Sequence, residues 1–142
     1  LTTSAPHGQP TRETSEMTES PITFVRADDE TSAWSGTSLQ GYIVENYQTL
    51  VEVFGEPTAG DGYKVDAEWV IRTNGGVCIT IYNWKNGPAY GEQCIPVEDI
   101  TGWHIGGRVG TNAADIVRRL IEDHIARLTE DRLWERVARL GR

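Results

Sequence analysis

Gly62-Tyr-Lys-Val-Asp-Ala-Glu-Trp69-Val-Ile-Arg-Thr73-Asn74-Gly75-Gly76-Val77-Cys-Ile-Thr-Ile-Tyr82-Asn-Trp-Lys85 decides the fold. Two runs rich in β-branched and aromatic residues flank Asn74-Gly75-Gly76. That pattern predicts a β-hairpin, because Asn and Gly tolerate the positive φ that primed turns require. Side chains alternate across a strand, so Val65, Ala67, Trp69 and Ile71 share one face of the first strand. Val77, Ile79 and Ile81 share a face of the second, opposite Cys78, Thr80 and Tyr82. The hairpin also mixes charged and polar groups with aromatics at Lys64, Asp66, Glu68, Tyr82, Asn83, Trp84 and Lys85. This makes it the best candidate for a working surface.

Working outward, residues 39–44 read as a strand. Asn46 is placed to cap a short helix, Tyr47–Phe54, whose Leu50, Val51 and Phe54 fall on one face. Gly55 and Pro57 stop it. Beyond the hairpin, residues 86–94 are a loop, and residues 97–105 contain a short strand centred on Gly102-Trp-His-Ile105. Gly106, Gly107 and Gly110 are expected to break it. Asn112 with Asp115 resembles a capping box that opens the main helix. Its apolar stripe is Ile116/Val117, Leu120/Ile121, Ile125 and Leu128. The stripe then slips to Leu133/Trp134, Val137 and Leu140, so Thr129 either caps a second helix or lies in one helix that continues past a stutter. The expected fold is α+β: an antiparallel β-meander packed with a short N-terminal helix and a longer C-terminal helix. Three segments follow: an acidic tail at 1–37, disordered or loosely attached, a core at 38–128 and a helical extension at 129–142 that is a candidate interface. Within the tail, Ile22-Thr-Phe-Val25 is the one apolar patch, suited to an extra edge strand.

The chain has 142 residues and a net charge of −8. Residues 111–142 hold seven Arg against six acidic side chains, which leaves −9 on the first 110 residues. That balance argues against a nucleic-acid duplex as partner, since phosphate binding wants a basic face. No run approaches the ~18 apolar residues of a membrane span, and no signal-peptide core follows the start. The expectation is a soluble, cytoplasmic protein. Cys78 and Cys94 lack CxxC spacing and read as buried or reduced thiols. His7, His104 and His124 are too scattered for a metal signature, and no cofactor fingerprint is present.

Asp66, Glu68 and Lys85 invite comparison with metal-dependent nucleases that place acid and acid-x-Lys on adjacent strands. Asn83 stands where the second acid belongs, and the body is acidic, so a solvated strand face is the better reading. No nucleophile elbow, Cys–His pair or Walker loop appears. Gly106-Gly-Arg-Val-Gly110 leads into a helix, where backbone N–H groups with Arg108 can hold a phosphate, but glycine-rich helix entries are common and an ordinary turn is the better reading. Tyr82, Trp84, Tyr90 and Trp103 lie near one another in the strand pattern. They either stack a base, with Asn83 reading its edge, or serve as satellite core and subunit contact. His104 is either part of this group or a half-buried structural residue. The C-terminal stripe suits self-association, with Trp134 as anchor.

Gly41-Tyr-Ile43, Phe54-Gly-Glu-Pro57, Gly60-Asp-Gly-Tyr-Lys-Val-Asp-Ala-Glu-Trp69, Ile81-Tyr-Asn-Trp-Lys85 and Trp103-His-Ile-Gly-Gly107 resemble a class of small bacteriophage proteins. Within that class the chain most resembles the first family of Thoeris anti-defence proteins, over residues 39–125. The resemblance implies a non-catalytic sponge, acting in the cytoplasm of an infected bacterium. Such proteins form homo-oligomers that bury cyclic nucleotide signals, glycocyclic ADP-ribose or cyclic oligonucleotides, without turnover. Aromatics would take the base and Arg with helix N–H groups the pyrophosphate. The candidate ligand contacts are Tyr82, Asn83, Trp84, Lys85, Trp103, His104, Arg108, Arg118 and Arg119. The rival expectation is an acidic inhibitor of the anti-CRISPR or anti-restriction kind, binding a host protein directly.

Overall fold

A computed structural model describes residues 21–29, 36–91 and 95–141. The chain runs β1 (Phe24–Arg26), β2 (Ser38–Val44), α1 (Tyr47–Phe54), β3 (Glu68–Thr73), β4 (Cys78–Tyr82), a 3-10 turn (Val97–Asp99), β5 (Gly102–Gly107) and α2 (Ala113–Leu140). All strand pairs are antiparallel, in the order β1-β3-β4-β5-β2. The fold is α+β. The meander β3–β4–β5 forms its centre, and the patch at Ile22–Val25 contributes the edge strand β1, paired to β3. The rest of the tail, at 1–20 and 30–35, and Cys94 lie outside the described residues.

The alternation along the hairpin sorts the two faces as its sequence predicts. Trp69, Ile71, Ile79, Ile81, Trp103, Ile105 and Ile43 point to the helix side, where they meet Leu50 and Phe54 of α1 and Val117, Leu120 and Ile121 of α2. Two indoles centre this core, 5.4 Å apart and edge to face. Their N–H groups reach opposite ends of α1. Trp103 Nε1 donates to Glu45 O at 2.9 Å, just before the helix, and Trp69 Nε1 donates to Gly55 O at 2.7 Å, just after it. Buried indole N–H groups need partners; here they also dock a helix too short to be stable alone.

Several local expectations are corrected. In the hairpin turn only Gly76 adopts positive φ, at 85°, and Gly76 N donates to Thr73 O. The turn is therefore a three-residue loop closed by a left-handed glycine rather than a two-residue primed turn. Asn74 instead ties down the chain ahead of β1, accepting from Thr23 N and donating to Pro21 O. Gly106 and Gly107 do not break β5 but lie within it. A Cβ on Gly106 would collide with Thr80 Oγ1, and one on Gly107 would sit 3.0 Å from Ala113 Cβ, so both glycines permit close packing. Neither helix has a side-chain N-cap. Asn112 is left-handed (φ 55°), and Asp115, the expected capping partner, turns to Arg118 at 2.8 Å.

α2 is one continuous helix of 28 residues. Thr129 does not start a new helix, because its hydroxyl donates back to Ile125 O at 3.0 Å. Its buried residues are Ala113, Val117, Leu120 and Ile121, so the C-terminal half extends past the sheet with Leu133, Trp134, Val137 and Leu140 exposed. Among the described residues no helix is long and apolar enough to cross a membrane.

Gly106→Ala should destabilise the fold by about 1–3 kcal/mol through overpacking against Thr80. Pairing it with Thr80→Ala should recover part of that loss. Chemical denaturation of the single and double variants measures both; an unchanged midpoint for Gly106→Ala contradicts the close packing described.

Candidate functional site

The face of the sheet away from the helices carries a row of side chains directly opposite one another on four strands. The register pairs Glu68 with Tyr82, Tyr82 with His104, and His104 with Tyr42. Neighbouring strands lie about 4.8 Å apart, which places these residues side by side. The rings touch accordingly: Tyr82–His104 at 5.5 Å and Tyr42–His104 at 4.8 Å, both edge-on. Trp84, just past β4, joins them. Its ring is nearly parallel to His104 at 6.3 Å and edge-on to Tyr82 at 6.4 Å. Trp84 is 39% and Tyr42 59% exposed, so the group opens to solvent.

Two ammonium groups complete it. Lys64 Nζ and Lys85 Nζ each lie 5.6 Å from the Trp84 ring centroid. Lys64 also stands over Tyr63 and Lys85 over Tyr90, and those two rings meet at 5.4 Å. The loops are joined by a backbone hydrogen bond from Lys85 N to Lys64 O at 2.8 Å. Lys85 itself is left-handed, with φ 62°, a conformation that aims the chain back over Trp84 and is uncommon for a non-glycine residue.

Asn83 holds this corner together from below. It is fully buried. Its Oδ1 accepts from Asp66 N at 2.7 Å and Ala67 N at 3.0 Å, and its Nδ2 donates to Asp66 Oδ2 and Asn86 Oδ1, both at 3.0 Å. Asp66 in turn accepts from Ala89 N. A carboxylate engaged in this way supports the loops. The nearby Asp61 Oδ1 accepts from the backbone N–H groups of Tyr63, Lys64 and Val65, which orders the loop carrying Lys64. Those bonds hold the Asp61 carboxyl below its ordinary range.

Burial moves three groups in the row toward their neutral forms. Glu68 is raised, chiefly by desolvation and then by the negative charges of Asp28 and Asp61. Tyr82 is raised by desolvation and then by Glu68, and His104 is lowered by desolvation. Glu68 and His104 stand two strands apart, roughly 10 Å, with Tyr82 between them, so they form no carboxylate–imidazole pair. What the group offers is aromatic surface and positive charge.

The structure thus brings together Tyr82, Trp84, Lys85 and His104 of the residues expected from sequence. It adds Tyr42 and Tyr63, and joins to them Lys64, Glu68 and Tyr90, which the sequence placed on the hairpin surface or among the nearby aromatics. Two expected contacts are corrected: Asn83 and Trp103 are buried, with their polar atoms bonded inside the protein, and are closed to solvent. Arg118 and Arg119 lie on α2, in the opposite layer. Arg118 donates to the edge carbonyl of Tyr42 at 2.9 Å, and Arg119 pairs with Asp123 at 3.7 Å. Arg108 stands beyond the end of β5, about 13 Å along the strand from His104 at 3.3 Å per residue. Period-two alternation places Tyr42 opposite Ile43 in facing, but which strand pairs with β2 is not written in that alternation.

No protein-family model matches this chain, and no curated protein matches it.

Two outcomes follow. Asn83→Ala should cost at least about 2 kcal/mol, since Asp66 N and buried Ala67 N each lose their acceptor. Asn83→Asp keeps the acceptor but turns a second carboxylate oxygen toward Asp66 Oδ2 and Asn86 Oδ1, so it should also destabilise at pH 7 and recover part of that loss at lower pH; an unchanged denaturation midpoint in either variant would contradict the assigned orientation. Glu68 has its folded-state value raised, so the protonated form favours folding, and that stability is lost as pH rises through the folded value. Glu68→Gln should therefore melt higher than the parent at pH 7. The gain should shrink as pH falls and vanish only well below the ordinary Glu value of about 4.3, where the parent carboxyl is neutral in both states.

Proposed function

We propose that this protein captures a nucleotide on the helix-free face of its sheet and holds it without turnover. The observation that carries the reading is Trp84, an exposed ring beside His104 and Tyr82 with two ammonium groups 5.6 Å from its centre. A planar base stacks on an aromatic face whatever its hydrogen-bonding edge. Lys64 and Lys85 supply charge for a phosphate at the same place. Anion capture by an acidic chain needs such a local reversal of sign, because interactions beyond about 8 Å are screened at physiological salt.

The sequence resemblance adds the class of ligand and the setting. A cyclic nucleotide signal, glycocyclic ADP-ribose or a cyclic oligonucleotide, would be sequestered in the cytoplasm of an infected bacterium. A phage-encoded protein of this kind suppresses immunity by starving an effector of its activator. Of the cations expected from sequence, Lys85 keeps its place in this reading, and Lys64 joins it in the role first given to Arg108, Arg118 and Arg119.

Cyclic ADP-ribose, its glycocyclic isomers and cyclic dinucleotides should be titrated against the protein by calorimetry and thermal shift. At least one should raise the melting temperature, as ligand bound only to the folded state must. Trp84→Ala should weaken that ligand about 5- to 150-fold, the range expected for one base–aromatic stack. The ligand should be recovered chemically intact after heat denaturation. No shift with any of them would sink the nucleotide reading and favour direct binding of a host protein. Consumption of the ligand would make the protein an enzyme.

A further inference from the structure

α2 carries two apolar stripes on opposite sides. At about 100° per residue, Leu133, Val137 and Leu140 lie roughly 140–200° around the helix from the core residue Val117. The core stripe at Val117, Leu120 and Ile121 is buried, whereas Leu133 is 58%, Trp134 63%, Val137 48% and Leu140 78% exposed. Because the second stripe points away from the sheet, the folded body beside α2 cannot cover it. A polar helix end of this length gains little from propensity alone and is stabilised mainly by packing.

We infer that the C-terminal half of α2 is the pairing surface for the same helix of a second copy, in parallel orientation. The flanks of the stripe indicate the partner. Arg132 and Arg136 lie about 60–100° around from Val117, on one side of the stripe. Glu130 and Trp134 lie at about 220–260°, on the other. In a parallel pair related by a two-fold axis, the basic flank of each helix faces the acidic and aromatic flank of its partner, which is how flanking charges set orientation in coiled coils. Arg132 and Arg136 then lie level with Trp134 of the other copy, in reach of its ring face. An antiparallel pair would set basic flank against basic flank.

Sedimentation and light scattering of the full chain should give a dimer at micromolar concentration. Leu133→Glu with Val137→Glu should raise the dissociation constant by at least about 100-fold, as loss of two central anchors does. The double variant should retain the parent's sheet signal and its cooperative melting, since neither residue touches the core. Leu140→Cys, in the stripe itself, should form a disulfide-linked dimer in air, while the parent with Cys78 and Cys94 should not. A monomer at 100 µM, or a dimer undiminished in the double variant, would overturn the inference. A dimer in which Leu140→Cys fails to cross-link would overturn its parallel orientation.

Discussion

Two buried indoles hold the architecture together. Trp69 on β3 and Trp103 on β5 meet edge to face across β4's helix side, and each donates its N–H to one end of α1. A helix of eight residues cannot persist on propensity. Clamped at both ends, it becomes the lid that buries Leu50 and Phe54 over the sheet. The core side being closed in this way, the other face of the meander stays free of helices.

That free face acquires its character through register. Tyr42, Tyr82 and His104 belong to three strands and become one aromatic row because each pairs directly with the next. Asn83 then fixes the chain as it leaves β4, so that Trp84 and Lys85 fold back over the row instead of trailing into solvent. A buried amide with four hydrogen bonds is a rigid joint, since any rearrangement would leave a polar group unpaired in the interior. The exposed rings and ammonium groups are thereby held in place by residues that make no outside contact themselves.

Much of the architecture was legible in the chain. The β-branched and aromatic alternation of residues 65–82 named the buried face residue by residue, and the helix bounds 47–54 follow from Asn46, Gly55 and Pro57. The site was half legible. Lys64, Glu68, Tyr82, Trp84 and Lys85 were visible on the hairpin and His104 close to them, whereas Tyr42 and Tyr63 were not. Asn83 and Trp103 were misread for one reason: a polar or amphipathic side chain beside exposed neighbours gives no local sign that its partners lie inside. Gly106 was misread because a glycine that ends a strand and one that lets a cross-strand Thr80 fit look alike in one dimension.

The sequence by itself determined the period of each element, the face each strand buries, and the reversal of the apolar stripe along the last helix, because these depend on backbone geometry repeated every two or 3.6 residues. Tertiary structure alone decided which strands are neighbours, and therefore which aromatics share a surface and which arginines do not. Pairing β2 with β5 joins residues more than fifty positions apart. Their union is chosen by the burial of Ile43, Trp103 and Ile105 on the opposite face, a collective packing outcome that no local pattern encodes.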